Sequence, residues 1–96
     1  MIFSLANPTS PEFVGEWQPN SEYIHDGFVR NDTIFGAAIY GAGIYIADIH
    51  NKTTPISIAQ IQYPSAGTHN IWTSKDGRYL FSTDEIGNTA KTLKVW

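Results

Sequence analysis

The chain has 96 residues, a formal net charge of −3 and no cysteine, with acidic and basic residues interspersed. No basic stripe is present to neutralise phosphates, so nucleic acid is not an expected partner; the lack of thiols rules out a disulfide framework and thiolate metal sites. No apolar run approaches the roughly 20 residues of a membrane-spanning helix, and residues 1–6 lack the length and positive flank of a signal peptide.

The predicted elements are short strands rich in β-branched and aromatic residues, separated by turn formers. The turn Asn7-Pro8-Thr9-Ser10-Pro11 leads into a strand over 13–17. Strands over 24–30 and 34–40 flank a tight turn at Asn31-Asp32-Thr33. In the latter strand, Gly36-Ala37-Ala38 suits close approach to a neighbouring sheet. Gly41-Ala42-Gly43 breaks the run before a strand over 44–49 that is apolar on both faces, and so is expected to be covered on both sides. A second turn over 51–55 precedes a strand over 56–63, where Ser57, Gln60 and Gln62 among the isoleucines suit an outer position. Residues 64–68 lead into a strand over 69–74, and Lys75-Asp76-Gly77 is a hairpin signal answered by a strand over 79–83. Residues 84–91 read as a polar loop, and 93–96 begin another strand. Apolar residues recur at every second position or run continuously, which gives no helix. The sequons Asn31-Asp32-Thr33 and Asn51-Lys52-Thr53 lie where turn residues are needed in any case.

The chain repeats itself. Asn7, Thr9 and Pro11 recur 44 residues later as Asn51, Thr53 and Pro55, and Ser21 and His25 recur as Ser65 and His69. Leu5 answers Ile49, Val14 answers Ile58, Trp17 answers Ile61 and Phe28 answers Trp72. A period of about 40–45 residues built from strands points to blades of a propeller; a sandwich, the competing all-β fold, gives no reason for a whole-unit repeat. The expectation is an all-β partial β-propeller of about two four-stranded antiparallel blades. Residues 1–20 would be the end of a preceding blade (its outer strand), 21–64 one complete blade, and 65–96 most of the next, truncated in its third strand. Repeats of this kind need roughly three or more copies to cover one another, and a closed propeller needs about four to eight blades. That predicts a piece of a longer protein, or a protomer whose edges pair with another chain.

The stretches Tyr23-Ile24-His25-Asp26-Gly27-Phe28-Val29-Arg30-Asn31-Asp32, Gly43-Ile44-Tyr45-Ile46-Ala47-Asp48-Ile49, Thr68-His69-Asn70-Ile71-Trp72 and Gly77-Arg78-Tyr79-Leu80-Phe81-Ser82-Thr83-Asp84-Glu85 resemble the choice-of-anchor B proteins, built from repeats of the LVIVP type. In that family a strand ending Asp-Ile or Asp-Val leads into Asn-Pro-x-x-Pro. Asp48-Ile49-His50-Asn51-Lys52-Thr53-Thr54-Pro55 looks like that junction with Lys52 in place of the first proline, and Leu5-Ala6-Asn7-Pro8-Thr9-Ser10-Pro11 keeps both prolines. The resemblance implies a bacterial β-propeller that is secreted or anchored at the cell surface, with signal and anchor outside this stretch. It implies no catalytic residues.

His25 and His69 hold the same place in successive repeats. With Asp26, Asp84 and Glu85 they form a candidate divalent-metal set, suited to zinc, manganese or iron rather than to calcium. The alternative is that each histidine bonds backbone or a neighbouring blade, repeating because the geometry repeats. His50 is expected in solvent, and Asp48 is expected to cap backbone N–H groups of the following turn. Trp17, Trp72, Trp96, Tyr23, Tyr40, Tyr45, Tyr63 and Tyr79 suit either a carbohydrate or peptide groove or, as burial preference favours, the core. No Gly-x-Ser-x-Gly elbow occurs, and residues 37–43 lack phosphate-loop spacing.

The leading functional expectation is a non-enzymatic extracellular module for protein, glycan or ion binding, with 31–33, 64–68 and 84–91 as contact loops. The alternative is a metal-dependent hydrolase or lyase in which the histidine and carboxylate set activates water at a channel mouth. A self-associating structural piece with exposed strand edges is the third.

Overall fold

The computed structural model describes residues 1–87 and 91–96. Local turn chemistry places the strands. Asn31 (φ 46°) and Asp32 (φ 56°) both take the left-handed conformation of a two-residue type I′ turn, which Asn and Asp tolerate better than most residues. That turn joins β3 (Asp26–Arg30) to β4 (Thr33–Ala38) in unbroken register, Arg30 opposite Thr33 and Asp26 opposite Ala37. β5 (Gly43–Asp48) pairs with β4, and β6 (Ile56–Ile61) with β5. Gly43 starts β5 at φ 82°, and a Cβ there would lie 2.2 Å from the Ile61 carbonyl oxygen, so only glycine fits.

These four strands form one antiparallel sheet in the order β3-β4-β5-β6, flanked by two smaller ones. On one side, β1 (Ile2–Ser4) pairs with β2 (Glu12–Gly15); on the other, β7 (Thr68–Thr73), β8 (Leu80–Asp84) and β9 (Leu93–Val95) form three strands. All pairings are antiparallel and each sheet is open. Among the described residues the chain is all-β, with one 3₁₀ turn at Pro19–Ser21 and no α-helix.

The strand positions follow the sequence expectation broadly, with differences at the first hairpin, in the loop after β7 and after β8. β1 was not expected, and the predicted 13–17 strand runs instead over Glu12–Gly15. The Lys75-Asp76-Gly77 signal gives a longer loop, closed by Ser74 N–H donating to Tyr79 O with Gly77 N–H to Ser74 O, rather than a two-residue turn. Of the predicted polar loop over 84–91, Asp84 closes β8 and residues 88–90 lie outside the described residues. The turns one period apart fold alike. Asn7 Oδ1 accepts from the N–H and hydroxyl of Thr9, at 3.3 and 2.8 Å, and Asn51 Oδ1 accepts from those of Thr53 at 3.2 and 2.8 Å.

β5 is covered on both faces, as its composition predicts. Ile44 faces the third sheet, packing with Ala37, Ile71 and Leu80, against which Phe28, Phe35, Ile46 and Ile61 lie. Tyr45 faces the opposite way, with Ala38 and Ala42 beneath Trp17 and Ile24. Gly36 is where Trp17 lies against the sheet, which is why this strand carries small residues there. β6 is one of the two edge strands of this sheet, with Ile56 and Ile58 exposed. Replacement of the fully buried Ile44 by alanine should cost about 2–5 kcal/mol in urea denaturation. Ile58→Ala on the exposed edge should cost under about 1 kcal/mol.

Candidate functional site

The site lies at one end of the sheets, where β3 and β7 begin and β4 and β8 finish. β7 lies alongside β3, and residues one period apart meet. Phe28 and Trp72 rings are 4.0 Å apart between centroids, and His25 and His69 rings 4.7 Å at an interplanar angle of 32°. Asn70 Nδ2 donates to Asp26 Oδ2 at 3.4 Å, and the Arg30 guanidinium reaches Thr73 Oγ1 and the Ser74 and Lys75 carbonyls. Arg30 was not singled out from sequence; its place one period before Ser74 was the available signal.

His25, His69 and Glu85 come together. One donor atom from each lies within 4.8 Å of the others, and His69 Nε2 is 3.5 Å from a Glu85 carboxylate oxygen. Their backbones are fixed. His25 N–H donates to Ala37 O at 2.8 Å and Glu85 N–H to Gly67 O at 2.9 Å. His69 sits at a β-bulge: Thr68 pairs with Asp84 and Asn70 with Thr83, so His69 has no opposite residue. A bulge turns a side chain out of the regular alternation, and here the imidazole stacks on His25.

The other two carboxylates of the predicted metal set lie elsewhere. β7 is an edge strand, and its Ile71 N–H points away from β8 toward β3, where Asp26 Oδ2 accepts it at 3.3 Å. Asp26 therefore ties the two sheets together through backbone and Asn70, and does not join the histidines. Asp84, its side chain only 5% exposed, accepts from Tyr63 Oη at 2.6 Å and from Gly67 N–H at 3.2 Å, and is ion-paired with Lys94. Burial alone would raise its pKa, but the hydrogen bonds from Lys94, Tyr63 and Gly67 outweigh that and hold the carboxyl below its ordinary 3.8. Burial, reinforced by the Asp84 carboxylate, pushes the Tyr63 phenol up to about 12, so it remains a neutral donor. Asp48 caps the following turn as expected, accepting from His50 N–H at 2.7 Å, and His50 is in solvent with its side chain 87% exposed. Asp32 interacts with Lys52, the residue in place of a proline, at 2.9 Å, and this pair holds the Asp32 carboxyl low.

The expectation that the aromatics are core is corrected for several. Tyr45 is buried, but Tyr40 is 73%, Trp72 63%, Tyr23 55% and Tyr79 51% exposed. Tyr40 stands beside Tyr23 (5.9 Å between ring centroids), and Tyr23 beside His25 at 6.1 Å. A continuous row thus runs Tyr40, Tyr23, His25, His69, Glu85 along the strand ends. The turn at Gly41 and the sequence before β3 place these rings at the rim, away from the sheet faces that would have buried them.

Comparison with protein-family models, with curated proteins and with solved structures finds no match. No helix among the described residues is long and apolar enough to cross a membrane.

The Asp84 carboxylate has a lowered folded-state pKa, so its stabilisation is present above the unfolded value and is lost as pH falls through the folded value. Asp84→Asn should therefore cost about 1.5–3 kcal/mol near neutral pH, the worth of charge-assisted hydrogen bonds. Urea denaturation across a pH series should show the gap between wild type and variant closing as pH falls below 3.8.

Proposed function

We propose that the chain is a non-catalytic β-propeller repeat module of the LVIVP, choice-of-anchor B type, working outside the cell and binding a protein or glycan through its rim. The observation that carries this reading is the row of rings in which exposed Tyr40, Tyr23 and His25 run on to the half-buried His69. Tyrosine offers a large rigid contact area at low entropic cost and a hydroxyl for hydrogen bonding, so exposed tyrosines set side by side favour recognition of a sugar face or a peptide. The propeller part of the reading is supported by the 44-residue period and by the way period-matched residues stack across two sheets. Radial packing of blades does this, since each unit repeats its neighbour's contacts.

The extracellular setting in this reading is supported by the sequence resemblance to the choice-of-anchor B proteins. The rim sits on strand ends and turns carried by a hydrogen-bonded scaffold, which is where binding residues are usually found.

Oligosaccharide and peptide arrays probed with the purified chain should show retention of one ligand class, released chemically unchanged. Tyr40→Ala should weaken that binding about tenfold, the cost of truncating one aromatic anchor, with the urea midpoint unchanged. Release of a cleaved product would replace this reading with that of a metal-dependent hydrolase or lyase.

A further inference from the structure

We propose that His25, His69 and Glu85 form a three-ligand site for a zinc-like divalent transition-metal ion that clamps the four-stranded sheet to the three-stranded sheet. The proposal stands apart from the identity of any rim ligand.

Two imidazoles and one carboxylate are a borderline donor set, suited to zinc, cobalt or nickel. Calcium and magnesium require more oxygen ligands than one carboxylate supplies. In a tetrahedral site with metal–ligand bonds near 2.0–2.1 Å, donor atoms lie about 3.3 Å apart. His69 Nε2 and the Glu85 oxygen are at 3.5 Å already, and all three donors are within 4.8 Å. The widest separation must close by up to about 1.5 Å, which the exposed His25 ring, ahead of β3 and resting against His69 and Tyr23, makes by turning about its side-chain bonds.

Three features prepare the site. The bulge at His69 turns its ring toward His25. The backbone bonds of His25 to Ala37 and of Glu85 to Gly67 hold the other two ligands on ordered strand ends. Asp26 and Asp84 are engaged with other partners, which leaves three protein ligands and an open coordination position for water or a ligand group. The ion would hold the two sheets through its three protein bonds while the fourth position stays open to water.

His25 precedes the first strand of one sheet, whereas His69 lies in β7 and Glu85 directly follows β8 of the next. A bound ion therefore links two sheets that otherwise meet through packing and hydrogen bonds. A ligand that binds only the folded form raises stability. The geometry is only available where period-matched residues stack, so the clamp would be a property of the assembled pair of sheets.

The test is titration of the intact chain with zinc, followed by isothermal calorimetry and by thermal unfolding, with sedimentation to establish that the chain is monomeric. One zinc per monomer and a Tm rise of about 4 °C or more at saturating zinc are expected. His69→Ala and, separately, Glu85→Gln should each weaken zinc binding at least about tenfold, since loss of a group that merely supports a ligand costs that much. Either variant should also remove the Tm rise while leaving the metal-free Tm near that of wild type. His50→Ala removes an exposed imidazole far along the chain and should change neither quantity. Zinc bound only between molecules, bound without a Tm rise, or bound equally well by the His69 and Glu85 variants would overturn the proposal. A loss in His50→Ala equal to that in His69→Ala would overturn it too.

Discussion

The structure depends on β7 lying along β3 with residues one period apart at the same height. Phe28 and Trp72 stack, Ile71 buries beside Ala37 and Ile44, and the Arg30 guanidinium reaches the carbonyls of the loop after β7. Burial drives this contact. Polar ties then fix its register, because each must find one partner: Asp26 accepts the open-edge N–H of Ile71, and Asn70 donates back to it. A slide of one residue would turn the apolar set out of the interface and leave Asp26 and Ile71 unpaired.

The same contact makes the rim. Because the strands begin together, the residues that lead into them are neighbours too, which brings His25 onto His69. Glu85 closes the set from the end of β8, one residue beyond the buried Asp84. The two adjacent carboxylates take opposite roles. Asp84 faces the interior and receives Tyr63, Gly67 and Lys94, whereas Glu85, on the other side of the strand, faces the imidazole and solvent. Asp84 is the last residue of β8 and Glu85 follows it, and successive side chains of extended backbone point to opposite sides. Tyr40, Tyr23 and His25 stay exposed for a different reason: they stand in the turn after β4 and the segment before β3, past the faces that the sheets cover.

Much of the architecture was legible in the sequence. The Asn31-Asp32-Thr33 turn, the outer position of the strand expected over 56–63, the double coverage of the strand expected over 44–49 and the Asp48 cap each follow from local chemistry, and each is found, with the strands at Ile56–Ile61 and Gly43–Asp48. Less legible was what the polar and aromatic residues face. Tyr23 and Tyr40 have the composition of core residues but stand at strand ends, where no sheet covers them. Asp26 has the spacing of a ligand beside His25, yet an edge strand's N–H lies within its reach and takes it.

The sequence alone determined most of the strands and turns and, through the 44-residue period, that His25 and His69 occupy equivalent positions. Periodicity fixes a residue's place along a strand, because it reflects backbone hydrogen bonding and alternation. Only the tertiary structure decided which carboxylate joins the two histidines. That choice depends on the bulge at His69, on the open edge of β7 and on the burial of Asp84, all of which exist only once separate sheets have packed.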